Sequence, residues 1–246
     1  MRTDYPLIFQ DSAAVAKYES VVYAPGSYSA AVSRRQRAYL RELVTERFDT
    51  PPAHHDFACG TGRALRMVPD LVSAAHGYDV AAAMLETAGE LDTEAELHLI
   101  AAEGPVPEPV ATEGPSLVTM FRLLLNVTPE VRERALAFAA AALPTHDAGL
   151  LVVENHGRSR SARHLGSWRH RGNAWFSELS DADITGLLAR HGFEVVARRG
   201  FALATQGCYR NRLLRGASRR LDDALAAPLG GLATDVLYVA RRTDPS

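Results

Sequence analysis

The stretch Asp56-Phe57-Ala58-Cys59-Gly60-Thr61-Gly62-Arg63 decides how the rest of the chain is read. It follows a short β-like run over 54–58 and leads into a helix expected from about 61 to 68. Glycine has no Cβ, so a turn built on Gly60 and Gly62 lets the backbone pass close to a ligand. The N–H groups at a helix start lack intrahelical partners and can bond polar ligand groups. A second acid, Asp79 in Gly77-Tyr78-Asp79, closes the next strand, where a carboxylate can accept both hydroxyls of a ribose. A lone Gly-x-Gly says little. A strand before it, a helix after it and an acid at the next strand end together point to a nucleotide-type site.

Working outward, strands are read at 54–58, 76–79, 96–100, 116–121, 150–154, 193–197 and 235–240. Between them lie helices at 61–68 and 81–90, one opening at Thr128-Pro129-Glu130, and one from Ser180 to His191-Gly192. Thr caps, Pro fits the first turn and Glu suits the positive dipole end, while Gly192 takes the usual place after a helix end. Alternating β and α units imply an α/β fold: a Rossmann-like, seven-stranded, mostly parallel sheet with helices on both faces. The last strand follows a long excursion and is expected to be antiparallel. The domain reading is an N-terminal helical cap or lid over 1–50, helical from 11 to 48, broken from the rest by Pro51-Pro52. A core over 51–246 follows, with substrate-side excursions at 156–177 and 201–233.

Three nucleotide-type ligands compete for the glycine loop. A phosphate-binding P-loop needs a Lys after its glycines, and none is present. A dinucleotide loop wants a third Gly or Ala where this chain has Leu65, which also disfavours a dehydrogenase. The remaining pattern, acid-x-Gly/Ala-x-Gly-x-Gly, resembles motif I of the class I S-adenosylmethionine-dependent methyltransferases, of the bacterial small-molecule or peptide type. The resemblance runs from Asp56 to Ala240.

That resemblance implies S-adenosyl-L-methionine as cofactor, S-adenosyl-L-homocysteine as product, and a set of cofactor residues. Asp56 matches the acid that orients the loop. Ala58, Gly60 and Gly62 match the three small positions, with Cys59 between them as a backbone-contact residue. Asp79 and Val80 stand at the ribose, and Met84 beside the adenine or in the core. Glu103, where the family often has Asp, is the weaker match to the adenine acid. Phe121 and Arg122 in SLVTMFRLLLN resemble the segment after strand four that lines the cofactor. Tyr18, Tyr23 and Tyr28 recur at spacing five around Pro25-Gly26 and resemble an N-terminal lid. Tyr28 is assigned there to the cofactor, Tyr23 to substrate and Tyr18 to catalysis.

Methyl transfer from a sulfonium is an in-line displacement that needs alignment, exclusion of water and sometimes a base. His156, leaving strand five in Glu154-Asn155-His156, is the candidate base because imidazole titrates near neutral pH. The alternatives for it are a structural His, with Glu154 or a lid tyrosine as base. Asn126, Trp168 and Trp175 are read as substrate residues, the two Trp in an excursion that also holds His170, Asn173 and Phe176. His54 and His55 replace aliphatic residues in strand one and require hydrogen-bond partners if covered. No metal is expected: no Cys/His or Asp/His cluster has ligand spacing, and His164 and His170 stand six apart in a loop.

The 246 residues carry 27 Lys+Arg against 29 Asp+Glu, a net charge of -2, which disfavours non-specific nucleic-acid coating. Two cysteines are too few for a disulfide framework, no apolar run reaches a membrane span, and no signal-peptide core is seen, so a cytoplasmic, membrane-free protein is expected. Residues 158–171 hold five Arg and 198–220 seven, without an acid in either, read as solvated faces or as a basic rim on the substrate side. An RNA methyltransferase could use them, but the tetrad such enzymes often carry after strand four reads Phe121-Arg122-Leu123-Leu124 here. A non-catalytic regulator of the same fold would tend to lose the glycine loop. Lys17 is the only lysine, which with abundant Ala suggests a GC-rich genome and so natural-product tailoring. The expected partner is a small-molecule or short-peptide acceptor, and the chain a monomer or homodimer.

Overall fold

The computed structural model of the chain describes residues 15, 20, 22–91, 93–156 and 179–243. Its centre is one seven-stranded sheet in the order β3-β2-β1-β4-β5-β7-β6. The strands are β1 Ala53–Phe57, β2 Ala74–Asp79, β3 Glu96–Leu99, β4 Ser116–Met120, β5 Gly149–His156, β6 Phe193–Ala202 and β7 Asp235–Arg242. β7 runs antiparallel to both β5 and β6, while the other pairs are parallel. The antiparallel last strand expected from the sequence is therefore present. The order reverses between β1 and β4, so their carboxyl ends open a crevice there.

Helices cover both faces. On one, α1 (Tyr28–Arg47) buries Val32, Leu40, Leu43 and Val44 against Leu117, Leu150, Val152 and Leu237. On the other, α3 (Pro129–Ala142) and α4 (Asp181–Arg190) bury Leu136, Phe138, Ile184 and Leu188 against Val118, Met120 and Val153. α2 (Ala82–Glu90) sets Leu85 against Cys59 and Leu65. Local sequence explains these helices. Pro129 opens α3, and Ser180 and Asp183 form a reciprocal capping box on α4. Beyond β6, α5 (Gln206–Arg210) and α6 (Arg215–Leu225) are held by buried Asp222, which accepts from the Leu203 and Ala204 N–H groups and the Tyr209 hydroxyl. No helix among the described residues is long and apolar enough to cross a membrane.

Three expectations need correction. The helix over 61–68 does not form: turns lead to a 3₁₀ turn at Leu65–Met67 and a second at Pro69–Leu71. Pro69 disfavours α geometry at Val68, and Gly60 and Gly62 take left-handed φ values of 56° and 75°, leaving no room for a regular helix. The sixth strand runs on to Ala202, not Ala197. It is an edge strand whose irregular register tolerates Arg198 and Arg199, which pair with Asp181 and Glu42 at 3.2 and 3.3 Å, so the excursion starts after 202, not at 201. The N-terminal helix is not continuous over 11–48, because residues 23–27 turn at Pro25-Gly26 before Ser27 caps α1.

Candidate functional site

The loop from β1 shapes the site. Ala58 takes φ 59°, a left-handed value that costs a residue with a Cβ on the order of 1–2 kcal/mol. Cys59 returns its N–H to the Tyr78 carbonyl at 3.1 Å, so the loop lies along the end of β2. A Cβ on Gly62 would run into Thr93, whereas one on Gly60 would meet only Met84 Sδ at 3.9 Å. Gly62 is thus a packing requirement, and Gly60 faces open space. Asp79 joins the pieces. One carboxylate oxygen accepts the Gly60 N–H at 2.8 Å and the other the Ala81 N–H at 2.9 Å. Each oxygen keeps a lone pair for a ligand hydroxyl. Val80 is half-buried between them, and Met84 packs with Val15 and Ala81. Burial holds the Cys59 thiol well above its ordinary value, so it is no nucleophile.

Asp56 lies deeper than the loop. It is 1% exposed and accepts the Thr119 hydroxyl at 2.6 Å, while His54 Nε2 meets the same hydroxyl oxygen at 2.8 Å. His55 Nδ1 meets the Tyr78 hydroxyl at 3.2 Å, so each strand-one histidine has one ring partner, while the buried Nδ1 of His54 has none among the described residues. Burial holds His54 down to about 3 and lifts Asp56 to about 7. The consequence for stability has a definite sign. Unfolded Asp56 releases its proton near 3.8, whereas folded Asp56 keeps it until about 7. The Asp56 contribution to stability should therefore fall by up to about 4 kcal/mol as pH rises between these values, against an opposite contribution from the depressed His54 and His55. Asp56→Asn should remove that contribution from the slope in urea unfolding between pH 4 and pH 8. An unchanged slope would show that Asp56 ionises freely in the folded chain.

A second group of polar side chains stands at the carboxyl ends of β4 and β5. Glu154, 2% exposed, accepts Gln36 Nε2 at 2.6 Å and Arg63 Nη2 at 2.9 Å, and Arg63 Nη1 donates to Gln36 Oε1 at 2.7 Å. This closed triangle joins α1, the glycine loop and β5. Arg63 also lies over the Phe121 and Tyr23 rings at 5.1 and 5.6 Å. Arg122, at left-handed φ 59°, donates to the Tyr23 hydroxyl at 3.1 Å, and the Asn126 amide donates to the Arg122 carbonyl at 2.7 Å. Such a backbone costs of order 1–3 kcal/mol, and Asn126 helps to hold it. Tyr28 donates to Asp235, which lies opposite His156 in the β5–β7 register. His156 is 6% exposed. Despite full burial, Glu154 is held below the ordinary carboxylate range by Arg63, His156 and Arg122, so it is a poor proton acceptor.

Of the residues expected from the sequence, the structure brings Ala58, Cys59, Gly60, Gly62, Asp79, Val80 and Met84 together around the loop. Phe121, Arg122, Tyr23, Tyr28, Asn126 and His156 gather at the neighbouring strand ends. Asp56 stands beneath the loop. Glu103 is exposed after β3 on a loop that Arg134 holds through the Ala101 and Ala102 carbonyls, and no hydrogen bond or ion pair joins it to the glycine loop among the described residues. Tyr18, Trp168 and Trp175 lie outside the described residues, as do His164, His170, Asn173, Phe176 and the arginines of 158–171. Sequence reading missed Gln36, Arg63 and Asp235 as members of this cluster. Arg63 adjoining Gly62 was the one available signal.

No protein-family model matches the chain, and no curated protein does. Solved structures do match. Magnesium protoporphyrin IX methyltransferase (ChlM) from Synechocystis PCC 6803 with bound SAH aligns at TM-score 0.58 and 12% identity, covering 95% of this chain and all of that one. The DhpI–SAH complex aligns at 0.59 and 13% over the full length of both. An S-adenosylmethionine-dependent methyltransferase from Mesorhizobium loti aligns at 0.55 and 18%, covering 86% and 98%. The chain has the fold of the class I S-adenosylmethionine-dependent methyltransferases. In this fold the glycine loop, Asp79 and the β4–β5 cluster occupy the crevice where the strand order reverses.

Proposed function

We propose that the chain moves a methyl group from S-adenosylmethionine to an N or O acceptor on a small molecule or short peptide, in natural-product tailoring. The observation that carries the reading is the Asp79 carboxylate, fixed by the Gly60 and Ala81 amides beside a loop face open at Gly60. A ribose fits there, its two hydroxyls donating to the remaining lone pairs. SAH in the crystals of ChlM and DhpI supports the same ligand class.

S-adenosylmethionine supplies a methyl group already attached to a good leaving group. The chain's own residues then bind, orient and handle a proton. Asp79 takes the ribose, and Met84 stands beside the loop for the adenine. Arg63 and Arg122 place positive charge near a carboxylate, with Arg63 already balanced by Glu154. Tyr23, between both arginines, shields that end from water and borders the acceptor. As the acceptor attacks, its proton passes to the His156 imidazole. Residues 22–28 serve as a lid within the 1–50 cap, since Tyr23 and Tyr28 cross the strand ends while α1 itself is a layer of the core.

Calorimetry tests the cofactor assignment. The parent should bind SAH, and Asp79→Ala should bind it roughly 10- to 100-fold more weakly, as expected for loss of charge-assisted hydrogen bonds worth about 1.5–3 kcal/mol. A parent that binds neither SAH nor S-adenosylmethionine overturns the function. A folded Asp79→Ala with unchanged affinity removes Asp79 from the site.

A further inference from the structure

Away from the crevice, on the face of the sheet that carries Tyr78, two strands bring three ligand-type side chains together. His76 of β2 and His98 of β3 turn ring nitrogens toward each other, Nδ1 to Nε2, at 3.4 Å. Glu96, two residues before His98 on the same strand face, sets one carboxylate oxygen 3.5 Å from His76 Nδ1 and the other 3.9 Å from His98 Nε2. Protons alone satisfy this group poorly. If His98 donates to His76, the bare Nδ1 of His76 faces a carboxylate. If His76 donates instead, one hydrogen must serve both His98 and Glu96. One cation between the three accepts a lone pair from each.

The dimensions fit a particular class. Zinc–nitrogen bonds of about 2.0–2.1 Å at tetrahedral angles put two ligand atoms roughly 3.3–3.4 Å apart. The N···N and shorter N···O separations here are 3.4 and 3.5 Å. Two imidazoles with one carboxylate favour zinc-like ions over calcium or magnesium, which prefer all-oxygen shells. The rings are also held in place. His55 stacks on His76 at 5.3 Å, and Tyr78 stacks on His98 at 4.8 Å. Glu96 has a side chain 67% exposed, which leaves a path from solvent and an open fourth position for water.

We propose that His76, His98 and Glu96 form a zinc-class divalent metal site that ties the edge strand β3 to β2. Sequence spacing concealed it, because the two histidines lie 22 positions apart and meet only through strand pairing. β3 has a single strand neighbour and four residues, so a cross-link to β2 would add most there. The site is separate from the proposed cofactor site: Asp79 and Leu99 pair at the carboxyl end of these strands, His76 and Glu96 at the other.

Zinc titration of chelator-treated, full-length protein tests this without any activity readout. Calorimetry with ZnCl2 should show one ion per chain at a dissociation constant of about 1 µM or lower, with a rise in the melting temperature. Co2+ should give the visible absorption of a tetrahedral N/O site. Exposed Glu96→Gln and part-exposed His98→Gln should each weaken zinc binding at least roughly 10-fold and cancel the melting shift, while metal-free melting and circular dichroism stay near the parent's. Equal zinc affinity in parent and both variants would put the ion elsewhere and overturn the proposal, as would the absence of saturable binding.

Discussion

Glu154→Ala is expected to destabilise the fold by about 3–5 kcal/mol, seen as a large drop in the urea midpoint at pH 7. The carboxylate is 2% exposed and is the acid paired with Arg63, whose side chain is only 14% exposed. Removing it takes the carboxylate from beside a largely buried guanidinium and takes away the acceptor of the Gln36 amide. The cost is that of breaking a buried ion pair by deleting one partner, larger than the net worth of the pair itself. Glu154→Gln keeps the shape and one acceptor but loses the charge, and should fall between parent and alanine. The pH dependence follows from the depressed carboxyl. Its stabilisation is fully present above the ordinary carboxylate range and fades as pH drops through the lower folded value. This is opposite in sign to Asp56, whose stabilising form is the protonated one. A loss below about 1 kcal/mol in Glu154→Ala would mean water reaches Arg63 freely.

The two acids also show what could be read from the chain alone. Local features were legible because they repeat a local cause: β-branched runs bounded by turns gave the strands, Ser180 and Pro129 gave helix starts, and the glycine loop with Asp79 gave the binding crevice. What escaped depends on contacts between distant segments. Gln36, Arg63 and Glu154 come from a helix, a loop and a strand, and nothing in the pattern of α1 sets Gln36 apart from its neighbours until Glu154 stands opposite. The Thr119 hydroxyl that Asp56 accepts beneath the loop comes from β4, a contact no local pattern announces. The helix after Gly62 failed for a local reason that was visible, Pro69, but a glycine-then-helix pattern outweighed it. His76, Glu96 and His98 were invisible to any spacing rule because strand register, not sequence distance, unites them.

His156→Ala is expected to lower turnover by roughly 10²–10⁴-fold, the range of general-base assistance, while leaving SAH affinity near the parent's. His156 ends β5 at the carboxyl edge, two residues after Glu154 and so on the same strand face as the Arg63 triangle. The neighbouring carboxylate is a weak competitor for the role, because both its oxygens are engaged and Arg63 holds it ionised at low pH. The tyrosines across the site also have their hydroxyls committed, Tyr23 to Arg122 and Tyr28 to Asp235. The remaining proton acceptor among these groups is the imidazole of His156. If it serves as base, turnover in the parent should fall on the acid side, where a protonated ring cannot accept, and that limb should vanish in His156→Ala. His156→Gln, matching in size and hydrogen bonding but unable to titrate, separates shape from proton transfer: it should stay as slow as alanine. Calorimetric SAH binding and circular dichroism on both variants check that the crevice is intact. A parent-like rate and pH profile in His156→Ala would leave alignment alone to account for the reaction, as for an amine acceptor that arrives already deprotonated.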